Sequence, residues 1–200
     1  MSELDALVFD LGGVICAHDN PVMYDRLASR CIPAWTSNEV AAVIARPGWM
    51  TGARPITELH GILREEGGYD GSWDTFAEDW CCHLAVDHSM LTLVERLAER
   101  HRLMIFSNTD AVHWAYNARA SDGRIPALEA HLSFEIGLIK PTLEAFQRVA
   151  RRAGIEPARS LFIDDVPANV EAARAAGFQA EVFVNEGQLR ALLLDRGIDA

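Results

Sequence analysis

Apolar residues fall along this chain in two ways: in short runs that each carry a polar residue at or near their end, and in longer stretches where they recur every three or four positions. The runs are Leu4–Leu11 (LDALVFDL), carrying Asp10, Leu103–Ser107 (LMIFS), ending in Ser107, and Leu161–Asp165 (LFIDD), ending in adjacent Asp164 and Asp165. Runs of about five residues rich in Val, Ile, Phe and Leu are the pattern of parallel strands buried on both faces. From Leu91 onward, helical and strand patterns alternate: LTLVERLAER, LMIFSN, a short LSFEIG, PTLEAFQRVARRAG, LFIDD, ANVEAARAAG and AEVFV. That alternation predicts βαβ units and a parallel sheet. Pro141 sits where a first helical residue belongs, and Gly154 and Gly177 where left-handed C-caps belong.

Between about Asn20 and Met90 the text changes. It is helical and turn-broken, holds Trp35, Trp49, Trp73 and Trp80, and shows no strong strand. The expected organisation is therefore a Rossmann-like three-layer α/β core with a five-stranded parallel sheet, built from residues 1–16 and 91–200. A helical cap of residues 17–90 is inserted after the first strand. In such open sheets a ligand sits beyond the carboxyl ends of the strands, where strand order reverses. Asp10, Ser107, Asp164 and Asp165 would converge there.

Composition narrows the class. Two hundred residues with 50% apolar content suffice for one domain with an insertion. No apolar run approaches the roughly 18 residues of a membrane span, and no secretory leader pattern is visible, so a cytoplasmic protein is expected. The cysteines at 16, 31, 81 and 82 lack CxxC spacing and are read as reduced thiols. A net charge of −11 disfavours nucleic acid and anionic membranes as partners, and repels anionic substrates unless a cation intervenes. The seven histidines form no HExxH or i, i+4 pair, so no histidine ligand is assigned.

Four segments in order, FDLGGVI with Asp10, FSNTD with Ser107, GLIKP with Lys140, and FIDDVPANVEAARAAG with Asp164 and Asp165, resemble the motifs of the haloacid dehalogenase superfamily, whose members are mostly phosphatases. The likeness covers Leu4–Gly13 and roughly Leu91–Gly177. Within the superfamily the chain is similar to small sugar-phosphate phosphatases active on α-glucose 1-phosphate, through DLGGVI, SNTDAVHW and GLIKPTLEAF. The resemblance implies a magnesium-dependent phosphatase that hydrolyses a small phosphomonoester through an aspartyl phosphate. Asp10 would be the nucleophile, with Ser107 and Lys140 as catalytic partners, and Gly12, Gly13, Ser107, Asn108 and Lys140 would contact the substrate. Asp10, the carbonyl of Gly12 and Asp164 would hold Mg²⁺, with Asp165 bound directly or just outside. The implied partner is a small phosphorylated metabolite, and the protein a monomer or homodimer.

Each residue also has a plainer reading. Asp165 can cap the following helix, and Ser107 or Asn108 the helix through Ala111–Tyr116. A lone lysine before proline is by default a solvated charge, and His113 a helix-surface histidine. The tryptophans are core by default, although Trp49 and Arg54 in GWMTGARP suit a substrate-facing loop. One departure bears on mechanism. Most phosphatases of the superfamily carry a second aspartate two residues after the nucleophile, as general acid and base, and here that position is Gly12. Such help is worth about 10²–10⁴ in rate. The sugar-phosphatase group also has a glycine there, and His18 or Asp19 is a candidate surrogate. Two alternatives stay open: a 2-haloacid dehalogenase, which also uses an attacking aspartate but needs no magnesium and is opposed by the DD pair, and, because of Gly12, a weakly catalytic binding or regulatory protein.

Overall fold

The computed structural model describes residues 4–199. Its strands are β1 (Ala6–Phe9), β2 (Cys16–His18), β3 (Leu84–Val86), β4 (Leu103–Ser107), β5 (Glu129–Leu132), β6 (Ser160–Asp164) and β7 (Gln179–Val182). Its helices are α1 (Asn20–Ala28), α2 (Ser37–Ile44), α3 (Ile56–Gly67), α4 (Trp73–Cys81), α5 (His88–Ala98), α6 (Ala111–Ala120), α7 (Ser133–Ile136), α8 (Leu143–Ala153), α9 (Pro167–Ala175) and α10 (Glu186–Asp195). Five strands form the expected parallel sheet in the order β5-β4-β1-β6-β7. The chain adds β4 and β5 on one side of β1, then returns to add β6 and β7 on the other. Strand order thus reverses at β1, and the carboxyl ends of β1, β4 and β6 flank the reversal.

Period-two alternation divides the strand residues between two cores. Leu7, Phe9, Ile105, Leu161 and Ile163 face Leu91, Val94 and Leu97 of α5 and Leu189 and Leu193 of α10. Val8, Met104, Phe106 and Phe162 face Phe146 and Val149 of α8 and Val170 of α9. Both faces of the sheet are therefore dry, which is why the strands read as continuous apolar runs rather than alternating ones. In α8 the buried positions Ala145, Phe146, Val149, Ala150 and Ala153 make one stripe, and Gly154 closes the helix in the left-handed conformation at φ 63°. A third core joins α1 to α4 through Leu27, Val40, Leu59, Leu63, Phe76 and Trp80.

Three local expectations are corrected. The strand expected at LSFEIG lies earlier, at Glu129–Leu132, because the Ser133 hydroxyl donates to the Thr109 carbonyl (3.0 Å) and the chain turns into α7 there. Pro141 does not begin a helix. Asn108 clamps the backbone of Lys140, Thr142 turns back to donate to the Ile139 carbonyl (2.6 Å), and α8 starts at Leu143. The stretch read as strandless contains β3, which pairs antiparallel with β2 so that His18 lies opposite Leu84. Both passages of chain between the sheet and α1–α4 therefore run together as one two-stranded ribbon.

Candidate active site

The carboxyl ends of three neighbouring strands bring the expected residues together. Asp10 follows β1, where its backbone N–H donates to the Ile163 carbonyl (2.8 Å) and its Oδ1 accepts from the N–H of Leu11 (2.6 Å). Ser107 and Asp164 are the last residues of β4 and β6, and both are buried. Lys140 arrives from the loop after α7, and its side chain is wholly inaccessible. Its Nζ lies 2.9 Å from Asp10 Oδ2 and 2.6 Å from Asp164 Oδ2. This is the chain's single lysine, beside seventeen arginines. The loop is held by a reciprocal pair: Asn108 Nδ2 donates to the Lys140 carbonyl and Asn108 Oδ1 accepts from the Lys140 N–H, both at 2.9 Å. The Asn108 side chain thus aims the lysine.

Asp164 is oriented by a residue the sequence reading missed. Asn169, in the first turn of α9, donates through Nδ2 to both Asp164 oxygens (2.9 and 3.0 Å), and the Val166 N–H donates to Oδ1 (2.8 Å). An amide five residues beyond a strand-end aspartate was visible in DDVPAN, but only the helix start after Val166 turns it back onto the carboxylate. Asp165 does not cap α9, whose N-cap is Val166. Instead its carboxylate packs against Gly13. A Cβ there would sit 2.1 Å from Asp165 Oδ2, and Gly13 has φ +74°, so no side chain fits.

Three carboxylates, Asp10, Asp164 and Asp165, thus present oxygens within 4.8 Å of one another against one ammonium. Burial, joined by the charge of Asp164, outweighs the pull of Lys140 and pushes the Asp10 carboxyl up to about 7. Asp165 is raised as well, by burial and then by Asp164. Its Oδ1 is buried with no partner. A cluster short of positive charge, with an orphaned carboxylate oxygen and all-oxygen donors, fits a hard divalent cation such as Mg²⁺.

Around this centre the structure revises several plainer readings. His113 is not a surface histidine. It is buried, stacks on Trp80 (centroids 4.8 Å apart, 4° between planes), and its Nδ1 and Nε2 contact Asp110 Oδ2 (2.9 Å) and the Trp80 carbonyl (3.0 Å). Asp110, rather than Ser107 or Asn108, caps α6, and it also accepts from Trp80 Nε1 (3.1 Å). Trp49 is buried beneath the Arg54 guanidinium (3.9 Å), and Arg54 pairs with Glu58 (2.7 Å). Beside Gly12 stands the imidazole of His18. A Cβ at position 12 would lie 3.2 Å from its Cδ2 and 3.6 Å from its Nε2, so the ring borders the space a side chain there would take.

The family model of the haloacid dehalogenase-like hydrolases matches residues 4–177. The chain is 27% identical over 187 residues to the enolase-phosphatase E1 of Methylococcus capsulatus, covering 89% of this chain and 76% of that protein. A shorter match, 38% over 63 residues, links it to the enolase-phosphatase E1 of Drosophila mojavensis, over 32% of this chain and 25% of that protein. Among solved structures, a haloacid dehalogenase family enzyme of Bacteroides thetaiotaomicron in complex with magnesium and inorganic phosphate superposes with a TM-score of 0.81 at 22% identity, over 93% of this chain and 98% of that one. A predicted hydrolase of the same family from Porphyromonas gingivalis gives 0.79 at 20% identity, over 96% and 98%.

Proposed function

We propose that this chain, which belongs to the haloacid dehalogenase-like hydrolases, is a magnesium-dependent phosphatase acting on a small phosphomonoester of the sugar-phosphate kind. The observation that carries the reading is the trio of buried Asp10 and Asp164 and half-buried Asp165, with Lys140 Nζ bridging the first two. A dehalogenase needs one attacking carboxylate, whereas phosphoryl transfer also needs the phosphate's charge neutralised. Two further acids beside the first are hard to account for unless they hold a cation. The names of the relatives, phosphatases among them, agree.

In this reading a carboxylate oxygen of Asp10 attacks phosphorus while the ester P–O bond breaks and the leaving oxygen takes up a proton. Water then attacks the aspartyl phosphate, releasing inorganic phosphate and restoring Asp10. Ser107 and Lys140 bind the phosphoryl oxygens, with the backbone of Gly12 and Asn108 beside them and Gly13 lining the site, its N–H donated to the Cys16 carbonyl (2.7 Å). Asp10, the Gly12 carbonyl and Asp164 would hold Mg²⁺, with Asp165 a direct or outer partner, and the ion would supply charge neutralisation for the phosphoryl group. Asn169 and Asn108 keep Asp164 and Lys140 in register. Residues 17–90 act as a cap over a core of residues 1–16 and 91–200, closing to exclude water. No helix among the described residues is long and apolar enough to cross a membrane, and the four free cysteines suit the reducing cytoplasm where we place the enzyme.

The test is release of p-nitrophenol from its phosphate ester beside halide release from 2-chloropropionate. Mg²⁺-dependent phosphatase activity, stopped by EDTA and weakened in metal affinity by Asp164→Asn, is expected. Full activity in EDTA, or halide release instead, overturns the reading.

A further inference from the structure

Two neighbouring cavities lie where α1–α4 meet the carboxyl ends of the strands. The first, of about 210 Å³, reaches Gly12, Ser107 and Asn108 and so adjoins the phosphoryl centre. The second, of about 620 Å³, is lined mostly by apolar residues, among them Ile44, Ala45 and Trp49, and on the core side by Ile139, the neighbour of Lys140. Met50 is the one residue that lines both. Volumes of roughly 300–1,000 Å³ are usual for pockets that take drug-sized ligands, so the cavity at the phosphoryl centre is small and the groove beyond Met50 is not.

The segment that carries Met50 is firmly held. It closes on itself, since the Arg54 N–H and the Thr51 hydroxyl donate to the Gly48 carbonyl (3.1 and 3.2 Å) and the Gly52 N–H to that of Trp49 (3.2 Å). It is also pressed against the core. Gly52 has φ +70°, and a Cβ there would stand 2.3 Å from the carbonyl oxygen of Phe134 in α7, so the backbones meet with no room for a side chain. Of the stretch GWMTGARP, Trp49 and Arg54 stack on each other, while half-buried Met50 is the member that reaches the cavity beside Gly12 and Ser107. A side chain on so fixed a turn keeps its place between the two spaces.

We infer that Met50 is a specificity-determining residue: its side chain is the partition between the cavity at the phosphoryl centre and the apolar groove, and it limits how far the leaving group of the substrate can extend. The inference rests on the phosphatase reading and deepens it by naming the residue that sets the size of the alcohol. A methionine suits a partition of this kind, being long, unbranched and without a hydrogen bond to satisfy. Shortening it joins the two spaces and gives an extended apolar alcohol a dry surface to cover. In apolar pockets a change of even one methylene shifts kcat/KM by about 10–200-fold.

The experiment compares kcat/KM for phenyl phosphate with that for biphenyl-4-yl phosphate, which has the same reacting oxygen and one further apolar ring. Taking the ratio of the two esters within each protein cancels their intrinsic reactivities. Wild type should favour the phenyl ester, and in Met50→Ala the ratio of biphenylyl to phenyl should rise about tenfold. Met50→Leu, of similar volume, should keep the wild-type ratio. Adding Ala45→Trp to Met50→Ala fills the groove and should cancel the gain. Thermal melts establish which variants fold, and should Met50→Ala fail, Met50→Val takes its place. A wild type indifferent to the second ring, a ratio unchanged in the folded shortened variant, an equal rise in Met50→Leu, or a gain that survives Ala45→Trp overturns the partition while the phosphatase reading stands. Wild type that cleaves neither ester with Mg²⁺, nor p-nitrophenyl phosphate, defeats that reading and the inference with it.

Discussion

At the scale of single residues, the buried carboxylates set the protein's response to pH. The folded Asp10 carboxyl is raised to about 7, above the roughly 3.9 of an unfolded aspartate. Between those values the folded state holds a proton that the unfolded state has lost. Stability from this group is complete below about 4 and declines as pH rises through about 7. Metal-free protein should therefore lose thermal stability over that window, and saturating Mg²⁺ should restore it. Asp10→Asn should flatten the metal-free profile, keep a cooperative transition and lose turnover by several orders of magnitude. A profile as steep in Asp10→Asn as in the wild type would assign the effect elsewhere. Gly12 makes a second prediction. Without an aspartate there, aryl and anomeric phosphates should be cleaved faster than primary alkyl phosphates, measured as kcat/KM across a leaving-group series. A flat series would mean that protonation is already supplied, with His18 first in line from its place beside Gly12. Asp10, Ser107, Lys140 and the paired aspartates were legible in sequence because strand ends and motif order mark them. Asn169 and the placement of His18 were not, since each becomes significant only through a partner brought near by folding.

At the scale of elements, helix α6 shows how one residue joins several parts. Asp110 caps the helix through the N–H groups of Val112 and His113, and also takes Trp80 Nε1 from α4 and His113 Nδ1. Removing it deletes a cap worth about 1 kcal/mol and strands two buried donors at about 1–3 kcal/mol each. Asp110→Ala should accordingly destabilise the fold by more than about 2 kcal/mol, with Asp110→Asn milder. Denaturant midpoints measure both, and a loss confined to a few tenths would show that Trp80 and His113 find other partners. The capping aspartate stood in FSNTDAVHW, but its second role depends on Trp80, thirty positions earlier in the chain. The main strands and α8 were readable because both faces of the sheet are covered and the apolar stripe of α8 is complete. The ribbon of β2 and β3 was not. Three residues with one partly solvated face carry too little pattern to announce a strand.

At the scale of the whole molecule, the chain has committed its only lysine to a place water does not reach, while its arginines serve elsewhere. Amine chemistry therefore reads this fold in a way no surface-lysine protein permits. An acylating reagent such as acetic anhydride at neutral pH should modify an N-terminal amine and leave Lys140 untouched for as long as the strand ends stay closed around it. Acylation at Lys140, quantified by peptide mass spectrometry over time, then becomes a clock for the opening of the catalytic centre itself. Its rate should slow when Mg²⁺ is added and quicken in Asn108→Ala, whose loop has lost its clamp. Lys140 acylated as fast as a free peptide lysine would contradict the burial described above. A protein with one such amine carries its own probe of breathing at the point where breathing matters, with no label introduced.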